Sequence, residues 1–221
     1  MIPKSYQEFL NSVKNNYDRL SSFYDTISSG TEKRITNKAI EKLEISENSN
    51  LLDIGCGTGR GLIELRVKHP NAKNIVGIDI SLGMCRKATA MINQLELYSN
   101  PFVCQADAIF TPFTSEIFDL VFMSFAFELF PDAYYEPLCR EIWRLLKPSG
   151  TFLVINIAEN RKINLISNGY LWAHKHYPQL IDCRPINSPK ILENHGFRIT
   201  DTDKSSLWSI PITSVFAEKQ I

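Results

Sequence analysis

The stretch LLDIGCGTG, from Leu51 to Gly59, constrains this chain more than any other. A short apolar run ends at Asp53 and Ile54, and glycines then stand at alternate positions, Gly55, Gly57 and Gly59. Without a Cβ the backbone turns tightly there, and a ligand can rest against it. Helical spacing resumes at about Arg60 and runs to Lys68, where HPNA stops it with a proline. The glycines therefore join a buried strand to a helix whose first N–H groups have no partner of their own. In an open parallel sheet this place, beyond the carboxyl end of a strand, is where ligands bind.

The same alternation continues along the chain. Ile35, Ala39, Ile40 and Leu43 share a helix face ahead of the strand NSNLLDI. NIVGID is the next strand. Ser81 then N-caps a helix with Met84, Cys85, Ala88, Met91, Ile92 and Leu95 on its inner face. PFVCQAD and FDLVFMSF are the third and fourth strands. Leu138, Ile142, Leu145 and Leu146 mark a helix that ends in a turn at KPSG, and TFLVINIA is the fifth strand. After a less regular stretch from Glu159 to Ser188 come a helix near Pro189 to His195 and the strands FRITDTD and ITSVFAEK. Strands alternating with helices imply an α/β fold, a parallel sheet with helices on both faces. The near-continuous apolar runs suit strands buried on both sides. The last two strands lack an intervening helix pattern, which predicts an antiparallel hairpin at the sheet edge. Residues 1–32 are polar with interspersed aromatics and precede the domain proper.

Composition works by exclusion. The 24 Lys and Arg balance the 24 Asp and Glu, and no basic stripe marks a nucleic-acid surface. No apolar run approaches the roughly 18 residues of a membrane span. The opening MIPKSYQEFL lacks the apolar core of a signal peptide. Cys56, Cys85, Cys104, Cys139 and Cys183 are scattered and odd in number, with no CxxC. They read as reduced thiols of a cytoplasmic protein, with no disulfide framework and no metal site.

The acids choose among ligands. A dinucleotide site wants GxGxxG, but the residue three after Gly57 is Arg60. A carboxylate at the mouth of the turn, Asp53, is unfavourable beside a pyrophosphate and favourable beside an ammonium. Asp79, ending GID, can accept from both ribose hydroxyls of an adenosine ligand, or else complement the dipole of the following helix. Asp107, in QADA, can accept from an adenine amino group. Acids at the tips of three successive strands form a far more specific pattern than any one of them. S-adenosylmethionine carries an ammonium, a carboxylate and a sulfonium and no phosphate, so it fits this row better than a dinucleotide.

LLDIGCGTG, GIDIS, QADA, FDLVFMSFAFELF and REIWRLLKPSGTFLV resemble, in order and spacing, the class I S-adenosylmethionine-dependent methyltransferases. The resemblance spans roughly residues 15 to 220. It is strongest to the branch that contains the menaquinone and ubiquinone biosynthesis C-methyltransferases. It implies a Rossmann-like seven-stranded sheet of order 3-2-1-4-5-7-6 with strand seven antiparallel. It also implies an N-terminal lid or helical extension over residues 1–32, a methyltransferase domain over 33–221, and an acceptor-site cap over 158–190. S-adenosyl-L-methionine would be the cofactor. Asp53, Gly55 and Gly57 would line its methionine portion, with Cys56 a further cofactor-binding position, Asp79 the ribose, Ile80 and Met84 the ribose or adenine, and Asp107 and Ala108 the adenine edge. Ser124 and Phe125 would border the sulfonium, and Tyr17 and Tyr24, in YDRLSSFYD, would close over the cofactor. KPSG stands where the family usually has KPGG.

The implied activity is methyl transfer to a small, apolar or aromatic acceptor. If the acceptor needs a base, His174, His176 and Glu128 are the candidates. Each histidine has the alternative of a surface or pocket-wall role, and Glu128 that of a structural group at a helix start. Aromatics cluster in the same two segments: Phe122, Phe125, Phe127, Phe130, Tyr134, Tyr135, Tyr170, Trp172 and Tyr177. They divide between core packing and an acceptor pocket. Two other readings stay open: a non-methylating relative that binds the same cofactor, and a nicotinamide-dependent oxidoreductase, which Asp53 and Arg60 disfavour.

Overall fold

The strands form one seven-stranded sheet of order β3-β2-β1-β4-β5-β7-β6. A computed structural model describes residues 4–20, 30–95, 97, 99–159, 183–207 and 209–219. The chain divides into two units, one up to Pro112 and one from Phe113.

The first unit holds α1 (Lys4–Leu20), α2 (Gly30–Glu41), β1 (Asn50–Ile54), α3 (Arg60–Lys68), β2 (Asn74–Asp79), α4 (Leu82–Asn93) and β3 (Phe102–Gln105). β1 pairs with β2, and β2 with β3, both parallel. Leu51, Leu52 and Ile54 of β1 and Ile75 and Ile78 of β2 are buried, as the continuous apolar runs require. Leu62 and Leu65 of α3, and Met84, Cys85, Ala88 and Ile92 of α4, form the inner faces of those helices. Ser81 caps α4 as its type predicts: its hydroxyl oxygen accepts from the Met84 N–H at 3.0 Å. Such a cap contributes about 1 kcal/mol.

The second unit holds β4 (Phe118–Ser124), two short 3-10 turns (Phe127–Leu129 and Asp132–Tyr134), α5 (Tyr135–Leu145), β5 (Leu146–Ile157), α6 (Ser188–Asn194), β6 (Phe197–Leu207) and β7 (Ile210–Lys219). β4 pairs with β5 in parallel, and β7 runs antiparallel to both β5 and β6. The antiparallel edge hairpin expected from the missing helix is therefore present. Leu120 to Met123 of β4 and Phe152 to Ile155 of β5 are fully buried. Lys219 is buried by pairing with Glu116, by donating to the Leu146 carbonyl at 3.1 Å and by standing 4.0 Å from the Trp143 ring centre. Among the described residues no helix is long and apolar enough to cross a membrane.

KPSG departs from the expected simple turn. Phe118 pairs with Leu146 and Leu120 with Thr151, so Lys147–Gly150 loops out of β5 opposite the single residue Asp119. Lys147 Nζ grips both oxygens of Asp119 at 2.9 and 2.8 Å, which anchors the loop. Ser149 sits at φ 60°, in the left-handed region that glycine enters without cost. Ser149→Gly is expected to raise stability by about 0.5–1 kcal/mol, because relief of strain outweighs the extra freedom of the unfolded chain. Urea unfolding midpoints of the two proteins check this, and an unchanged or lower midpoint contradicts it.

Candidate cofactor site

The glycine turn is built on β2. Gly55 N and Cys56 N both donate to the Ile78 carbonyl, at 2.8 and 3.0 Å. Gly57 has φ 53°, and a Cβ built there meets nothing within 4 Å. The backbone at Gly57 thus faces open space, as a ligand-bearing turn requires. Gly59 answers a different need. Its φ is 84°, and a Cβ would come within 2.9 Å of the Ala88 Cβ, so the absent side chain lets α4 approach the start of α3.

The strand-tip acids differ sharply in their partners. Asp53 is 2% exposed. Among the described residues no group donates a hydrogen bond to its carboxylate. Burial, reinforced by the nearby charge of Asp79, pushes its pKa up to about 8. Asp79 is also buried, but Oδ2 accepts from Gly57 N at 3.0 Å and Oδ1 from Ser81 N at 2.8 Å. Burial raises its pKa to about 6; the Ser81 and Gly57 N–H groups oppose the rise and Asp18 adds to it. Asp79 therefore joins the glycine turn to the start of α4. This is the helix-end role weighed against ribose binding, and it leaves further lone pairs on both oxygens. Asp107 Oδ1 accepts from Tyr6 Oη at 2.7 Å and from Ile109 N at 2.9 Å.

Two of these contacts come from α1 and escaped the sequence reading. Tyr6 reaches Asp107. Asp18 accepts from Ser81 Oγ and, at 3.0 Å, from Gly83 N at the start of α4. The signal was present in Tyr6, Phe9, Leu10 and Val13, which share helical spacing, but dense polar residues around them hid it. Of the tyrosines expected to close over the cofactor, Tyr17 is half-buried on α1, and Tyr24 lies outside the described residues.

The remaining positions in this unit are Cys56, Ile80, Met84 and Ala108. Cys56 is buried, and its thiol is raised well above the usual range by burial, then by Asp53, Asp79 and Cys85. Ile80 is half-buried, and its carbonyl accepts from Gln105 Nε2 at 2.8 Å. Met84 is fully buried and Ala108 half-buried.

In the second unit, Ser124 ends β4 and Phe125 follows at φ 53°, its N–H donating to the Ile155 carbonyl at 2.7 Å. A phenylalanine in the left-handed region is a strained residue at a strand tip, a placement often tied to function. Glu128 is buried, and its Oε1 accepts from Ile157 N at 3.3 Å, which ties the 3-10 turn to the end of β5. Phe122, Phe127 and Tyr135 are core residues, whereas Phe125 and Phe130 are half-buried. Arg184 donates to the Phe130 carbonyl at 2.9 Å and to Tyr135 Oη at 3.0 Å, and pairs with Asp132. Ala158 and Ile186 form a parallel bridge. His174, His176, Tyr170, Trp172 and Tyr177 lie outside the described residues.

Residues 51–150 match the family described as a methyltransferase domain. A demethylmenaquinone methyltransferase of Lactobacillus johnsonii is 29% identical over 71% of this chain and 62% of its own length. The chain thus spans about three fifths of that relative. Among solved structures, a chain from the complex of the Haloferax volcanii Trm112 methyltransferase activator with a methyltransferase superposes with TM-score 0.74, at 17% identity, over 95% of this chain and 98% of that one. A cyclase, SpnF, superposes with TM-score 0.66 at 20% identity, over 85% of this chain and 80% of its own. Residues 51–150 are thus similar to a methyltransferase domain, and the seven-stranded fold is one shared with these solved structures.

Proposed function

We propose that the protein is an S-adenosyl-L-methionine-dependent methyltransferase acting on a small, apolar or aromatic molecule. The observation that carries the cofactor reading is the buried, donorless carboxylate of Asp53 beside the open face of Gly57. A buried carboxyl with a raised pKa is poorly matched to a diphosphate and well matched to a cationic amino group, which would favour its ionised form. The residues present therefore fit this cofactor. When bound, it supplies a methyl group on a sulfonium that departs as a neutral thioether.

The chain's own work is binding and alignment. Asp53 would hold the ammonium and yield its proton as it does so. Asp79 would hold the ribose with the lone pairs its two backbone donors leave, and Asp107 and Ala108 would meet the adenine edge. Ser124 and Phe125, at the strained β4 tip, would border the reacting centre. Fixing two reactants in line can supply roughly 7–11 kcal/mol of the barrier, so a strong base is not required of the protein. The contact of Glu128 with Ile157 favours a positioning role for it over that of a base.

The demethylmenaquinone methyltransferase relatives, together with the aromatic residues after β4, support a planar, quinone-like acceptor. The same fold in a cyclase keeps a second reading in play, in which the cofactor is bound but no methyl group is transferred. Incorporation of labelled methyl from S-adenosylmethionine into quinol or phenol acceptors separates the two. Absence of transfer, with cofactor bound, favours the second.

Calorimetry is expected to detect S-adenosylhomocysteine binding and no NADH binding. Asp79→Ala is expected to weaken S-adenosylhomocysteine by about 1.5–3 kcal/mol, the value of charge-assisted hydrogen bonds; an unchanged dissociation constant removes Asp79 from the site. The Asp53 shift sets a pH dependence. With a folded pKa of about 8 against an ordinary value of 3.8, the folded state holds a proton that the unfolded state has lost across that window. Stability of the ligand-free protein therefore falls as pH rises from 4 toward 8. Asp53→Asn is expected to flatten this fall in thermal melts taken across that range; an identical slope in the variant contradicts the assignment.

A further inference from the structure

We infer that Tyr6 is a positioning residue for recognition of the cofactor's base, acting through Asp107. This rests on the cofactor reading above. Tyr6 is buried, and its hydroxyl donates to Asp107 Oδ1 at 2.7 Å. The Ile109 N–H donates to the same oxygen at 2.9 Å. Two donors on one oxygen fix the plane of the carboxylate and leave Oδ2 without a hydrogen bond among the described residues. That oxygen is an acceptor held in place at the tip of β3, as recognition of an exocyclic amino group requires. A freely turning carboxylate would first have to lose that freedom on binding.

The hydroxyl is held in turn by the packing of α1. The Tyr6 ring lies 6.0 Å from that of Phe9 and 6.4 Å, edge-on, from that of Phe110. The far end of the helix is pinned separately by Asp18 on Ser81 and Gly83. Residues 6 and 18 are about 18 Å apart along the helix axis at ~1.5 Å per residue. The Tyr6 contact at Asp107 can therefore be tested independently of the Asp18 contact at α4.

The test compares S-adenosylhomocysteine with S-inosylhomocysteine, whose 6-oxo group replaces the amino donor with an acceptor. Wild-type protein is expected to prefer the adenosyl ligand by roughly tenfold or more, as for a charge-assisted bond replaced by two facing acceptors. Tyr6→Phe keeps the ring and removes the hydroxyl. It is expected to narrow that ratio about threefold or more, with the far-ultraviolet spectrum and melting temperature close to wild type. Asp18→Ala, at the other anchor, is expected to weaken both ligands alike and leave the ratio where it was. In an Asp107→Asn background, Tyr6→Phe is expected to change the ratio no further. A ratio untouched by Tyr6→Phe, or moved equally by Asp18→Ala, overturns the inference and reduces Tyr6 to a structural contact. Wild-type binding of both ligands with equal strength also overturns it while leaving the methyltransferase reading intact. Failure of wild type to bind S-adenosylhomocysteine at all refutes the cofactor reading and this inference with it.

Discussion

The first unit is organised around one buried carboxylate. Asp79 accepts from the N–H of Gly57 and from that of Ser81, so the glycine turn after β1 and the helix after β2 share a single anchor. It ties the open backbone at Gly57 directly to the start of α4, beside the close packing of Gly59 on Ala88. Turn residues with positive φ do not hold a shape by themselves; glycine's freedom has to be removed by contacts from outside the turn. The paired donations of Gly55 and Cys56 to the Ile78 carbonyl do the same job one step earlier.

This arrangement concentrates acids. Burial raises Asp53 and Asp79; the charge of Asp79 adds to the rise of Asp53, and that of Asp18 to the rise of Asp79. Such a cluster is a cost to the folded chain unless a cation joins it. The placing of Asp53 and Asp79 at the ends of β1 and β2 makes physical sense if the protein gives up folding stability for a preorganised cation seat, a trade common at binding sites.

The strands were legible because buried parallel strands and the glycine turn leave strong local marks: LLDI, NIVGID and FDLVFMS are short, apolar and bounded, whereas their order in the sheet followed only from the family resemblance. Asp53, Asp79 and Asp107 stand out in the sequence for the same reason, each at or just beyond the end of a strand. The contribution of α1 was not. Tyr6 meets Asp107 from a hundred residues away in sequence, and no local rule encodes a pairing of that range. The loop at Lys147–Gly150 was half legible: KPSG announces a break, but whether the break ends a helix or bulges a strand depends on how β4 pairs across it. The Glu128 contact likewise depends on the end of β5.

Cys56 lies inside the turn that, on the proposed reading, carries an alkylating ligand. A thiolate there would compete with the acceptor for the methyl group, and the protein would modify itself. The acids that would seat the cation on that reading, with burial, hold this thiol in its protonated, weakly nucleophilic form. On the proposed reading, the electrostatics of the site would serve chemical self-protection as well as recognition.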